Sequence, residues 1–503
     1  MLSSALSNGA SLRPFAPELV LSAGILLVLL VGLAGKTVSR ALLLGLTVAT
    51  LVAAAVATVA TRDDAARALF GGLLARDGFG DYFKLLFAAA GGLVALASLN
   101  SDEVLDEGAV GDRSAAEYGA LLLAVVLGAS LMASATDLLT AYLSLEFISI
   151  LSYVLAAFSS RRARAAEAGL KYAIYGGVAT GAMLYGFSLL YGLAASTDLN
   201  AVRVALSSAP PLVAGAALAL CLAGFGFKLA IVPFHMWCPD VYEGAPTPVA
   251  AFFSVVPKAA GFALAYRFLL GGDAPLVPEL GAANGWSAAL GALAVATMTL
   301  GNLAALGQRN VKRLLAYSSI AHAGTMTLAL ALGTQTGARA LLLYAGVYLF
   351  MNLAAFLAVI AFVQRGVGEQ LQDFAGLGRR APLPALCLTL ALFSLAGLPP
   401  FAGFVAKFAM VAATIERGAT GGGLYFGLAA LTVLNTVVSL YYYARVVKVM
   451  YFERAPADAG PVRVAPLHLA LLGGATVAVI ALGVYVPPLS SLVAQATGAW
   501  AGR

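Results

Sequence analysis

Fourteen apolar runs, most of them close to 20 residues long, constrain this chain more than any other feature of its sequence. A helix of that length crosses the ~30 Å hydrocarbon core of a bilayer. Charged residues make up only 11% of the chain, against about 25% in soluble domains. Because backbone groups in lipid must find their hydrogen-bond partners within each segment, the runs predict an all-α, multi-pass membrane protein.

The loops between the runs are short, so residues 1–503 are predicted to form a single membrane domain. The predicted spans are 18–35, 41–60, 82–99, 117–134, 136–157, 171–195, 211–236, 247–271, 284–306, 314–332, 339–363, 383–416, 423–452 and 466–492. We divide the domain into an N-terminal unit (1–110), a first repeat (117–271), a second repeat (284–452) and a C-terminal span (466–492).

The distribution of lysine and arginine predicts the orientation. Of the thirty basic residues, sixteen lie on the side reached after the odd-numbered spans, and nine lie on the other side with both termini. Loops rich in Lys and Arg stay in the cytoplasm. Both termini are therefore predicted on the external, periplasmic side.

Proline interrupts two of the predicted spans. Pro233 lies in the seventh, five residues after Lys228, and Pro399 and Pro400 lie in the twelfth, before Lys407. Proline removes a helix donor, and interrupted spans at matching places in two halves are typical of transport sites near the membrane midplane. Spans 7 and 12 are five apart, which predicts two inverted five-helix repeats, spans 4–8 and 9–13. The alternative is that these prolines only kink packed helices.

The sequence contains no cofactor signature. Its three cysteines and three histidines lack the spacings of zinc, haem or iron–sulfur sites, and no phosphate-binding glycine loop is present. The net charge of +6 comes from loop arginines, which we interpret as orientation markers. We therefore predict no cofactor on this chain and no nucleic-acid partner.

Ionisable side chains inside membrane spans are costly and usually functional. We interpret Glu146, Lys228, Lys258 and Lys407, which all lie within predicted spans, as proton-transfer groups. Burial disfavours the charged form of lysine, whereas a carboxylate about 4 Å away favours it by about 4 kcal/mol at an effective dielectric near 20. A Glu146–Lys228 contact that forms and breaks would therefore switch the lysine between holding and releasing a proton. Static pairing of buried charges is the alternative.

Four further residues carry weaker signals. Lys171 and Lys84 lie near span ends, where a lysine can extend its amine to the membrane surface, or snorkel. For Lys171, snorkelling and a functional role explain the position equally well, and for Lys84 snorkelling is the better explanation. His322 is either a proton relay or a hydrogen-bonded structural residue. His235 either transfers protons or caps the interrupted seventh span.

Several long motifs point to one family. Residues 228–248 read KLAIVPFHMWCPDVYEGAPTP, residues 309–322 read RNVKRLLAYSSIAH, and residues 395–400 read LAGLPP. Together they resemble the antiporter-like membrane subunits of respiratory complex I, and most closely the subunit N branch. The resemblance covers nearly the whole chain, and lysine rather than glutamate at position 407 also fits that branch.

The resemblance implies a fold, a function and a set of partners. It implies fourteen spans, a Glu146–Lys228 pair, Lys258 as a bridging lysine and Lys407 as the exit-side group. The chain would be a non-redox subunit of a proton-translocating NADH-quinone oxidoreductase in the bacterial inner membrane. NADH, FMN, iron–sulfur clusters and quinone would be handled by partner subunits, and its neighbours would be other membrane subunits, including antiporter-like sisters.

Three other functions are open at this point. The chain could be a subunit of a multi-subunit sodium/proton antiporter, a membrane subunit of a proton-pumping hydrogenase, or a non-conducting scaffold. The identity of neighbouring genes would distinguish the antiporter subunit from a complex I subunit. Co-purification of nickel–iron subunits would identify the hydrogenase, and substitution of the buried lysines would test whether the chain is only a scaffold.

Overall fold

The computed structural model describes residues 9–34, 38–62, 66–101, 103–104, 113–159, 162–271, 285–455 and 459–498. The outermost residues of both termini, for which the sequence predicts the periplasmic side, lie outside these ranges. Residues 105–110, which end the predicted N-terminal unit, lie outside them as well.

Helices dominate the described residues. In chain order they are α1 (Ala16–Ala34), α2 (Arg40–Ala60), α3 (Gly78–Ala97), α4 (Arg113–Ser134), α5 (Leu138–Ala156), α6 (Ala163–Ala194), α7 (Leu199–Ser208), α8 (Pro211–Leu229), α9 (Trp237–Gly244), α10 (Thr247–Leu270), α11 (Gly285–Leu306), α12 (Val311–Leu332), α13 (Gln335–Val363), α14 (Leu377–Arg380), α15 (Pro382–Ala396), α16 (Ala402–Gly421), α17 (Gly423–Phe452), α18 (Pro466–Val484) and α19 (Pro487–Gly498). One antiparallel hairpin pairs β1 (Arg67–Leu69) with β2 (Leu74–Arg76).

The predicted all-α membrane fold is confirmed. Thirteen of the described helices are long and apolar enough to cross a membrane. The predicted twelfth span is divided between α15 and α16, which meet at the Pro399-Pro400 interruption. The predicted seventh span, 211–236, is helical only as far as Leu229, where α8 ends, and α9 begins at Trp237, just beyond the predicted span.

Polar residues set where several spans begin. Asp137 accepts hydrogen bonds from two amides in the first turn of α5, and Asn310 and Thr334 cap α12 and α13 in the same way. Such caps satisfy amides that have no partner within the helix. The spans therefore start at sequence-encoded positions, although hydrophobicity alone defines their length.

The most enclosed helices lie at the centre of the bundle. α10, α12 and α13 are buried along nearly their whole lengths, whereas α1, α2 and α18 bury less than half of theirs. The outer helices expose large apolar side chains such as Leu30 and Val56, as expected for surfaces that face lipid. Lys258 and His322 belong to the enclosed set, so the fold places them far from lipid.

Both interrupted spans end their first half in the same way. Ala230 and Gly397 adopt left-handed backbone conformations, with φ of 56° and 85°, directly after α8 and α15. In each case the following residue donates back to a carbonyl near the end of the helix, Ile231 to Gly226 and Leu398 to Phe393. The matching geometry agrees with an internal repeat, but the division of the chain into inverted repeats stays a prediction.

The C-terminal part differs from its prediction. A single span over 466–492 is wrong, because α18 ends at Val484 and a separate helix, α19, begins at Pro487. Two consecutive prolines, Pro487 and Pro488, cannot donate to the preceding turn and so end the helix before them. The hairpin and the short helix α7 were also not predicted, since neither has a membrane-length apolar run.

Candidate proton-transfer site

Lys228 lies in the last turn of α8, directly before the interruption. Its side chain is buried, with 1% exposed. The amine donates to the hydroxyl of Ser149 on α5 at 3.1 Å. The Glu146 carboxylate, about one turn away on α5, is within Coulombic range. The resemblance implies a Glu146–Lys228 pair. In this structure the two side chains are near each other, but no ion pair joins them among the described residues.

Lys258 lies on α10, one turn before Gly261. A Cβ added at Gly261 would come within 3.2 Å of Lys228 Cγ, so the absence of a side chain there lets Lys228 pack against the Lys258 helix. The Lys258 amine donates to the hydroxyl of Ser319 at 2.5 Å and lies 3.8 Å from the sulfur of Cys238. Lys228, from α8, therefore packs against α10 at Gly261, three residues along the helix from Lys258.

His322 on α12 lies in a network of hydroxyl groups. Its Nδ1 is 2.6 Å from the hydroxyl of Tyr344, and its Nε2 is 3.3 Å from the hydroxyl of Tyr443. Tyr443 is in turn 2.5 Å from the hydroxyl of Ser318. Each of these groups can donate or accept a hydrogen bond, so the network has several ways of arranging its protons.

Lys407 lies on α16, just after the second interruption. Its amine donates to the carbonyl of Ala396, the last residue of α15, at 3.1 Å. A cation is stabilised at a helix C-terminus, where carbonyls lack partners. Gly397 also leaves room for the lysine, because a Cβ there would approach Lys407 Cδ to 2.8 Å.

His322 lies near two of the buried lysines. Lys258 and Lys407 both lie within Coulombic range of His322. His322 and Lys407 also line a common cavity with Asn302 and Asn435. The volume of this cavity is about 10 Å³, which is close to the space that one water molecule needs. Glu146, Lys228, Lys258, His322 and Lys407 thus form a series of neighbouring groups, which we call the central row.

Lys171 and His235 lie outside the central row. The Lys171 amine pairs at 2.8 Å with both Glu167 and Asp240, and its side chain is 39% exposed. Asp240 also pairs with Arg313 at 2.5 Å. Burial by itself raises the pKa of Asp240, but Lys171 and Arg313 outweigh it and hold the pKa below its ordinary value. His235 is buried in the interruption after α8.

Sequence reasoning missed a group of buried ion pairs. Lys84, for which snorkelling was preferred, is buried, and its amine lies 2.7 Å from Glu18. The snorkelling interpretation of Lys84 is wrong because α1 brings a carboxylate to the lysine inside the protein. Two further buried pairs are Arg76–Asp81 at 2.9 Å and Arg267–Asp77 at 2.7 Å.

A partial signal for these pairs exists in the sequence. Glu18 and Lys84 are opposite charges near the starts of the first and third predicted spans, which begin on the same side of the membrane, and this would suggest a pair. The hydroxyl partners Ser149 and Ser319 carry no comparable signal, since serine is common on packed helix faces. Within the described ranges, no cluster of three or more His, Cys, Asp or Glu residues could hold a metal ion.

Comparisons with known proteins place this chain in a family. A family model described as NADH:quinone oxidoreductase/Mrp antiporter, TM, matches residues 135–433, which include all five members of the central row. NADH-quinone oxidoreductase subunit N of Anaeromyxobacter sp. (strain Fw109-5) is 45% identical over 498 residues, covering 94% of each chain.

Solved structures share the fold over the full length. A chain of respiratory complex I from Thermus thermophilus with bound aureothin is 33% identical, with a TM-score of 0.76 over 96% of this chain and 99% of that one. A chain of the Mrp complex from Dietzia sp. DQ12-45-1b gives a TM-score of 0.82 over 98% of both chains, and at 21% identity it shows the fold alone. Both matches are parts of larger membrane complexes. This chain therefore belongs to the NADH:quinone oxidoreductase/Mrp antiporter transmembrane family, and within that family it groups with the subunit N proteins.

Proposed function

We propose that this chain transfers protons across the membrane as a non-redox subunit of an NADH-quinone oxidoreductase. The observation that supports this most strongly is the row of three buried lysines, Lys228, Lys258 and Lys407, whose hydrogen-bond partners among the described residues are all neutral. A buried ammonium without a counter-charge is costly. Such an amine is therefore suited to exchange a proton rather than to hold one permanently.

Each group of the central row has a neighbouring group with which it can exchange a proton or a charge. Glu146 can stabilise the charged form of Lys228 by approaching it. Lys258 lies about one turn from Gly261, the residue against which Lys228 packs. His322, with its tyrosine hydroxyls, lies within range of both Lys258 and Lys407. The buried hydroxyls of Tyr242 and Tyr348 have no hydrogen-bond partner among the described residues. Buried polar groups of this kind bind water, which would complete a relay.

The energy involved is in the right range for coupling. Moving one charge through 100 mV costs about 2.3 kcal/mol, and a carboxylate near 4 Å changes the charge preference of an amine by about 4 kcal/mol at a dielectric near 20. A small movement of Glu146 relative to Lys228 would thus be enough to load or release a proton. Quinone reduction in partner subunits would drive that movement, with NADH, FMN, iron–sulfur clusters and quinone bound there.

The same proposal places the chain in a bacterial inner membrane. The excess of Lys and Arg on one side favours that side as cytoplasmic and both termini as periplasmic. The partners are other membrane subunits, including antiporter-like sisters, and the surrounding lipid.

The test is to replace the terminal lysines with arginine in the assembled complex. Arginine keeps the positive charge but does not release its proton in proteins. NADH-driven acidification of proteoliposomes by Lys228→Arg and Lys407→Arg complexes is expected to fall by about 100-fold, the usual contribution of a positioned proton-transfer group. Arg379, an exposed residue of the short helix α14, provides the matched control exchange, Arg379→Lys, which is expected to leave pumping unchanged. Full pumping by correctly assembled Lys→Arg complexes would reject proton transfer through these lysines.

A further inference from the structure

A large basic cavity lies away from the central row, where α11 and α17 end near the 308–310 loop. Its volume is about 800 Å³, and its lining includes Arg309, Arg445 and Lys448. Glu453 is the only carboxylate among the described residues that line it. Three cations against one anion leave a net positive charge, which favours an anionic ligand.

The three cations have different roles. Arg445 is committed to the protein, because its guanidinium donates to the carbonyls of Leu306, at 2.5 Å, and Gln308. These carbonyls lie at the end of α11, so Arg445 fixes one wall of the cavity. Arg309 and Lys448 are exposed, and within the described part of the chain neither has an ion-pair partner. Their charges are available to a ligand.

The position of the cavity identifies the kind of anion. α17 has 30 residues, about 45 Å of helix, which exceeds the ~30 Å hydrocarbon core. Its last turns therefore reach the level of the lipid headgroups. An exposed apolar stripe of Leu434, Val437 and Tyr441 runs along the same helix and ends at the cavity. With the spacing of 3, 4 and 7 residues, Lys448 continues this stripe.

We propose that the cavity binds the headgroup of an anionic phospholipid, whose acyl chains lie along the stripe on α17. Arg309 and Lys448 contact the phosphate, and Tyr441 lies at the boundary between headgroup and chains, where tyrosine is enriched. A volume near 800 Å³ is within the range of pockets that hold ligands of this size. The site is independent of the proposed proton transfer, since none of its residues belongs to the central row.

The test uses the full-length chain in lipid nanodiscs with a phosphatidylglycerol probe that carries a photoreactive acyl chain. A phosphatidylcholine probe with the same chain is the comparison. Mass spectrometry of the labelled peptides is expected to show the anionic probe on residues 434–453, saturating at low mole fraction. Each basic residue near an anionic lipid contributes about 1 kcal/mol, so Arg309→Gln with Lys448→Gln together should weaken probe affinity about 30-fold.

Matched variants separate charge from other causes. Arg379→Gln removes an exposed arginine that does not line the cavity, and it should leave labelling unchanged. Arg309→Lys with Lys448→Arg keeps both charges and should retain affinity within about twofold. Displacement of the probe by millimolar inorganic phosphate would assign the site to free phosphate and overturn the lipid proposal. Equal labelling by the two probes, or no loss in the double glutamine variant, would overturn it as well.

Discussion

Lys84 and Lys407 are both buried lysines in membrane-embedded helices, yet their surroundings are opposite. Lys84 makes a 2.7 Å ion pair with Glu18. Lys407 donates to a backbone carbonyl, that of Ala396, and no carboxylate among the described residues is paired with it. A permanent counter-charge fixes the protonation of a lysine, whereas a neutral partner leaves the charge uncompensated and free to change.

The contrast extends to the regions around them. The buried charges packed near α3 come in pairs, with Arg76 next to Asp81 and Arg267 next to Asp77. The three lysines of the central row instead donate to hydroxyls and a backbone carbonyl, and no ion pair to them is formed among the described residues. Similar burial thus accompanies paired charges in the first region and neutral hydrogen-bond partners in the second, and proton exchange is what we propose for the second.

The largest expected effect is on stability when a buried pair is broken. Asp77→Asn breaks the buried ion pair between Asp77 and Arg267, which should lower the free energy of unfolding by about 3–5 kcal/mol. Lys407→Met removes a buried charge that forms no ion pair within the described ranges, so it should be neutral or stabilising. Thermal unfolding of both variants in the same detergent measures the difference. Equal destabilisation would remove the distinction between the two regions.

The next effect is on proton pumping when lysine is exchanged for arginine. Lys258→Arg should reduce NADH-driven pumping by about 100-fold, since arginine cannot release its proton. Lys84→Arg keeps the ion pair with Glu18 and should pump at nearly the normal rate. Dye-based acidification assays on the assembled complexes compare the two. Similar losses would mean that Lys84 also transfers protons.

A smaller effect is expected from removing carboxylate charge. Glu146→Gln should slow pumping about tenfold, because an opposite charge a few ångströms away changes the proton affinity of its neighbour by that factor or more. Glu18→Gln should lower stability instead, with pumping per assembled complex within about twofold. Pumping rates normalised to assembled complex provide the readout. Unaltered pumping in Glu146→Gln would show that Lys228 works without its neighbour.

The smallest effect concerns paired charges that water can reach. Asp240 pairs with Lys171 and Arg313, but its side chain is 31% exposed, and exposed pairs contribute only about 0.2–1 kcal/mol each. Its pKa is held below the ordinary value of 3.8, so the contribution is present above that pH and disappears as the pH falls through the folded-state pKa.

Asp240→Asn should therefore lower stability slightly at neutral pH and not at all in strong acid. Unfolding midpoints measured across the acid range, with and without added salt, check this sign. A difference between the two proteins that grew on acidification would contradict the assigned direction.

The sequence predicted some features of the site better than others. Glu146, Lys228, Lys258 and Lys407 could be singled out because a charge in an apolar run is visible without a structure, and their role in proton transfer stays a prediction. Lys84 was misassigned because position near a span end does not reveal a partner on another helix. The hydrogen bonds from Lys228 to Ser149 and from Lys258 to Ser319 could not be predicted, since they depend on packing between helices.

The sequence by itself determined the membrane class, the approximate spans and the two proline interruptions. Each of these is a local property, because transfer into lipid is decided segment by segment and proline ends a helix wherever it occurs. Only the tertiary structure decided which buried charges are paired and which are not. Ion pairing depends on distances of a few ångströms between residues such as Glu18 and Lys84, which are far apart in the chain, and that distance is set by how the helices pack.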